Sequence, residues 1–165
     1  MDSPFFLRPK WADEASDAFV LPGIMNAMEQ KHIKRPCLHV LTLNPTVPYS
    51  PDTPLPILFE RSINRGAWEK PYHSFAEGKA RISWRTGLTS REVVLCKPHL
   101  LLPGDIRFWG SAIVNGIISA ASAVESCFDE MFAGMASYAM CGEASYYAQQ
   151  HAATENPGLP AFLSG

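Results

Sequence analysis

Apolar residues along this chain recur at two spacings, and the switches between them outline its elements. From Trp11 to about Lys34 the spacing is helical, with Ala15, Phe19, Ile24, Met25 and Met28 as candidate buried positions. Pro22-Gly23 should kink or split that helix, because proline has no N–H to give to the ladder, and Pro36 ends it. Cys37 to Leu43 alternates as a strand, with His39 on one of its faces, and Leu55 to Arg61 reads as a second strand. The five prolines of residues 44–56 make the connection between them a stiff one. Asn64-Arg65-Gly66 turns the chain. Trp68 to Arg85 then reads as a helix, with Pro71 tolerated in its first turn. Tyr72, Phe75, Ala76, Ala80 and Ser83 share one side of it, and Lys79 lies near that stripe. Thr89 or Ser90 can cap a short helix that ends near Cys96.

The clearest local signal follows. Asn115-Gly116 separates Ser111-Ala112-Ile113-Val114 from Ile117-Ile118-Ser119, and that dipeptide accepts positive φ at both central turn positions, as a tight hairpin requires. A last helix is expected from about Ser126 to Gln150, with Val124, Phe128, Met131, Met135 and Tyr138 as its apolar stripe. Ala133, Ser137 and Cys141 recur every four residues and permit another helix to pack closely. The order of elements implies one α+β domain, an antiparallel sheet flanked by helices, over residues 12–151. An arm (1–11) precedes it and a tail (152–165) follows.

Composition narrows the classes. Hydrophobic residues make up 47% of the 165 and charged residues only 18%, which suggests that apolar surface is buried between subunits of a homo-oligomer. A net charge of −2 without a Lys/Arg block argues against nucleic-acid binding. No run of about 18 apolar residues exists, so no membrane span is expected. The first residues lack the pattern of a secretory signal, and the four cysteines form no C-x-x-C pair. A reduced, cytoplasmic protein is the expectation.

Candidate chemistry is spread over several elements. Lys79, if buried, has the lowered pKa that suits a base or an anion clamp; the alternative is a lysine paired with a carboxylate. Glu125, Asp129 and Glu130 stand at a helix start, where the free amides stabilise carboxylates, and one of them facing a pocket could act as general acid or base. Arg81 and Arg85 repel each other unless an anion lies by them, a substrate carboxylate or a glutamate such as Glu60 or Glu77. Arg61 is a further cation, and His73 could shuttle a proton near neutral pH. No histidine pair has zinc-ligand spacing, so no metal is expected. Trp84, Trp109, Phe108 and Tyr49 can line an aromatic pocket, although core packing is the default for Trp84. G-x-S-x-G, P-loop and G-x-G-x-x-G motifs are lacking.

With particular residues added, the chain resembles the GlcG/HbpS-like family, also called the haem-degrading-domain family. Phe59-Glu60-Arg61 is similar to the end of that family's second strand. Ser74-Phe75-Ala76-Glu77-Gly78-Lys79-Ala80 is similar to its A-x-x-K-A helix, and Thr89 to a threonine that follows it. Trp109-Gly110-Ser111-Ala112-Ile113, Asn115-Gly116 and Phe128-Asp129-Glu130 resemble its Gly-Gly-x-Pro-Ile strand, hairpin turn and Gln-Asp-Glu helix start. The resemblance spans roughly residues 12 to 142. It implies a profilin-like domain, multimeric assembly, and in some members haem or corrinoid binding. Where relatives carry a glycine-bearing G-V-S-G turn, this chain has Ala121-Ser122-Ala123-Val124-Glu125, and Trp109 replaces the first glycine of the pair.

Together these readings favour a cofactor-free enzyme of isomerase, cyclase or lyase type acting on a small apolar molecule. Lys79, Glu125, Asp129 and Glu60 are its candidate acid/base groups, with Arg61, Arg85, His73, Trp109 and Phe108 around the substrate. A haem- or tetrapyrrole-binding protein and a non-catalytic oligomeric subunit are the alternatives.

Overall fold

A computed structural model describes residues 7–155. Four strands form one antiparallel sheet: β1 (Leu38–Leu43), β2 (Ile57–Ile63), β3 (Ser111–Val114) and β4 (Ile117–Ser122), in the spatial order β2-β1-β4-β3. The Asn115-Gly116 turn has φ of 48° and 80°, the positive pair expected of a two-residue hairpin. β1 is central and all six of its residues are buried. Leu38 and Val40 join the main core with the helices of one face, while Leu41 and Leu43 meet Ala76, Ala80 and Trp84 on the other. β2 starts two residues later than Leu55. Pro56 cannot donate to the ladder, so pairing begins beyond it, at Ile57 opposite Leu43.

The first helix begins at Pro9, inside the stretch read as an arm, and runs as α1 (Pro9–Ala15), a π turn (Ser16–Val20) and α2 (Leu21–Glu29). Pro22 withholds one ladder bond, and the turn before it widens rather than breaking. The wide turn changes the phase of the buried stripe. Ala12, Ser16, Val20 and Ile24 are buried at strict four-residue spacing, whereas Phe19 is 63% exposed and Met25 42%. The stripe expected through Phe19 and Met25 is corrected by that inserted residue.

α3 (Tyr72–Thr86) covers the Leu41 face of the sheet. It starts at Tyr72 rather than Trp68, because the residue before a proline, here Lys70, is kept out of the helical region. A Thr89–Glu92 capping box then opens a short turn ending at Cys96.

α4 (Ser126–Glu155) lies on the opposite face and continues past residue 151. Its sheet-facing side is Asp129, Phe132, Ala133, Ala136, Ser137 and Met140, not the expected Met131 and Tyr138, which are 45% and 70% exposed. Small side chains let the helix sit low on β4, and Ser137 Oγ donates to the Ile117 carbonyl at 3.1 Å. The small residues therefore face the sheet instead of another helix. Trp11 stacks on Tyr147 at 3.9 Å and joins α1 to the far half of α4.

Candidate functional site

Lys79 and Asp129 meet where β4 ends. Lys79 sits on the sheet side of α3 between Ala76 and Ala80, a position at which an aliphatic side chain would be expected, and it is 1% exposed. Its Nζ donates to Asp129 Oδ2 (2.8 Å), to the Ala121 carbonyl (2.8 Å) and to Ser122 Oγ (3.3 Å), so all three ammonium protons are used. Asp129 lies in the first turn of α4 and its Oδ1 accepts from the Val124 amide at 3.2 Å. Gly110 makes the approach possible. Its φ is +149°, and a Cβ there would come within 2.5 Å of Asp129 Cβ and 3.0 Å of Lys79 Nζ. Ser90 holds that glycine, its Oγ accepting from the Gly110 and Ser111 amides at 3.1 Å each.

The pair forms one wall of a cavity of about 150 Å³. Tyr72, Phe75 and Phe108 supply its rings, Ser122, Ala123, Val124 and Ser126 its floor, and Arg35 and Lys70 stand at its edge. Tyr72 is 3% exposed, and its hydroxyl lacks a hydrogen-bond partner. Ala123 has φ of +142°, a conformation that costs any residue with a Cβ roughly 1–3 kcal/mol. It falls in the turn where glycines stand in the family that the sequence resembles. Arg35 Nη1 donates to its carbonyl at 3.2 Å.

Burial governs the charges. It pulls the Lys79 ammonium below the ordinary lysine range, while Asp129 pushes it back up. It also lifts the Asp129 carboxyl to about 6, against the opposing pull of Lys79 and two backbone amides. Asp129 is thus a carboxylate at neutral pH that takes a proton within a short pH step, the behaviour needed for reversible proton transfer. Burial raises the Tyr72 phenol as well, so it stays a neutral O–H donor.

A second cluster lies at the β2 edge, around a cavity of about 290 Å³ lined by His39, Glu60, Arg61, Ser62, Arg65, His73 and Glu77. His39 is 2% exposed, and its Nδ1 lies 3.0 Å from Ser62 Oγ. Burial, with the nearby His73 and Arg65, lowers its pKa to about 4. The imidazole is therefore neutral, and the 3.5 Å approach of its Nε2 to Glu60 is not an ion pair. His73 is stacked on Trp68 at 5.9 Å.

The structure thus brings together Lys79, Asp129 and Phe108, and separately Glu60, Arg61 and His73. Arg61 is held by Asp13 and Asp17 at 3.3 Å each. Glu125 points to Lys34 at 3.6 Å and does not line the first cavity. Arg85 is bound to Asp105 at 2.6 Å and to the Leu100 carbonyl, neither of the glutamates weighed from sequence. Trp109 lies under Arg91, outside the cavity, and Glu130 pairs with Arg91. Trp84 is a core residue whose Nε1 donates to the Val47 carbonyl. Sequence reasoning missed Tyr72 as a site group, although its place one turn before Ala76 puts it on the Lys79 face. It also missed Arg35 and Lys70, for which no local signal exists.

Among the described residues no three His, Cys, Asp or Glu side chains converge to hold a metal ion, and no helix is long and apolar enough to cross a membrane. The first cavity has about the volume that accommodates a single benzene ring, and of the side-chain types that serve as axial haem ligands it is lined by Tyr72. The second offers two histidines, but four charged side chains wall it. No family model matches this chain, nor does any curated protein or solved structure.

Proposed function

We propose that the protein is an acid/base enzyme that moves a proton on a ring-sized organic molecule, the chemistry of an isomerase, cyclase or lyase. The observation behind this reading is a buried carboxylate, Asp129, in contact with a buried ammonium and facing a cavity beside an unpartnered phenol. Asp129 abstracts a proton from carbon. Lys79 balances its charge in the resting state, and as Asp129 is neutralised the ammonium and the Tyr72 hydroxyl are free to stabilise the developing oxyanion of an enolate. The same groups then return the proton to another carbon or expel a leaving group. Phe75 and Phe108 pack on the ring.

The test is carbon-bound hydrogen exchange in D2O, followed by NMR, for a panel of ring-sized ketones, enones and esters with cyclohexanone as the simplest member. Wild-type protein should accelerate exchange in at least one compound, and Asp129→Asn should abolish the acceleration. Equal rates with wild type, Asp129→Asn and buffer across the panel would sink the reading.

A further inference from the structure

The cavity beside Lys79 and Asp129 holds more positive charge than its own chemistry uses. Lys79 and Asp129 neutralise each other at 2.8 Å. The other charged residues of the lining are Arg35 and Lys70, both cations, and Asp129 is the sole carboxylate there. Among the described residues, neither Arg35 nor Lys70 has a carboxylate partner, as is also true of Arg65, Arg81 and Arg107; these two are the ones that line this cavity. Arg35 is not idle: one guanidinium nitrogen is fixed on the Ala123 carbonyl, which leaves the rest of its planar fork for another acceptor. Tyr72 lines the same cavity, and its buried hydroxyl has no acceptor within the protein.

We infer that the cavity takes a small organic acid, a carboxylate joined directly or through one or two carbons to a ring-sized apolar body. The carboxylate lies between Arg35 and Lys70 at the rim. The body, which carries the carbonyl that becomes the enolate, lies against Phe75 and Phe108, and the carbon next to that carbonyl is thereby presented to Asp129. A carboxylate on the substrate also fixes which carbon faces the base, because Arg35 binds it in a plane rather than at a point. This assignment of a substrate class rests on the catalytic reading of the same cavity, and the two separate experimentally.

The probe is benzoate, with benzyl alcohol as its uncharged counterpart, titrated by calorimetry and by ligand-observed NMR at low and high salt. Benzoate is expected to saturate a single site about tenfold or more tighter than benzyl alcohol, since a charge-assisted bidentate contact separates them. Its affinity should fall with salt. Arg35→Ala and Lys70→Ala, each confirmed as folded by circular dichroism, should weaken benzoate about tenfold and leave benzyl alcohol unchanged. Asp129→Asn removes a negative charge, so it should bind benzoate at least as well as wild type. Absent saturation by benzoate, equal affinity for the two probes, or equal loss of both in the arginine and lysine variants overturns the inference. Charge-selective binding without Asp129-dependent hydrogen exchange would keep the ligand class and remove the catalytic role. Exchange without charge selectivity would do the reverse.

Discussion

Gly110 lies against Asp129 so closely that a Cβ on the glycine would stand 2.5 Å from the Cβ of the aspartate. The same atom would reach 3.0 Å from the Lys79 ammonium. The contact between the two charges is thus built on the absence of a side chain in a third segment. Gly110→Ala should separate the pair and also strain a backbone at φ +149°. A loss of roughly 2–4 kcal/mol in urea unfolding is expected, together with loss of any Asp129-dependent exchange. A variant as stable as wild type would show that the pair adjusts easily.

Lys79→Met should be more damaging than the double change Lys79→Met with Asp129→Leu. Removing one partner strands a buried charge, at a cost of about 3–5 kcal/mol, whereas replacing both with apolar groups removes the need to bury either. The double variant should therefore regain most of the lost stability while remaining inert in hydrogen exchange. Chemical denaturation of the set measures this. Equal losses in single and double variants would mean that the packing around the pair, rather than its charge, carries the stability.

Asp129 and His39 give stability opposite dependences on acid. The folded pKa of His39 is lowered to about 4, so its contribution is complete above the unfolded value of 6.5 and disappears as pH falls toward 4. Fully expressed, that is a loss of roughly 3 kcal/mol. The folded pKa of Asp129 is raised to about 6, so its contribution grows as pH falls through 6 toward 3.8 and is lost in the other direction. Between pH 7 and 4.5 the two partly cancel. Asp129→Asn should steepen the acid loss of stability and His39→Leu should flatten it. Thermal midpoints measured across that range decide, and parallel curves for all three proteins would contradict both assignments.

Activity should follow Asp129 alone. If its ionised form is the base, kcat/KM rises through about pH 6 and levels above it. A flat profile from pH 5 to 8 would assign the proton transfer to another group.

Ala123→Gly offers a gain. Glycine adopts φ of +142° without the Cβ penalty, so stability should rise by about 1 kcal/mol. Because Ala123 lines the cavity and its carbonyl holds Arg35, the same change loosens the rim. Weaker benzoate binding is expected alongside the higher melting temperature. A lower melting temperature would mean that the alanine methyl packs well enough to outweigh its backbone strain.

How far the chain could be read varies by element. The hairpin was legible because Asn115-Gly116 encodes its own turn, and β1 because its apolar run is bounded by Pro36 and Asn44. The buried faces of the first and last helices were less so. A π turn rephased one, and in the other the sheet selected Ala133, Ala136 and Ser137 over the larger Met131 and Tyr138. Lys79 and Asp129 were visible singly, as a lysine near an apolar stripe and an acid at a helix start. Their contact spans 50 residues and depends on Gly110, and no local pattern encodes it. The partner of Arg85 was illegible for the same reason: Asp105 arrives from a separate loop.

The Ser90 clasp on Gly110 has a consequence for how the molecule is made. Lys79, Ser90, Gly110 and Asp129 come from four separate stretches of chain, and the Lys79–Asp129 contact exists only where α3 and α4, on opposite faces of the sheet, are both docked. A partly formed domain therefore leaves its lysine hydrated and its aspartate ordinary in acidity. The buried Lys79–Asp129 contact is thus a property of the chain whose last helix has docked.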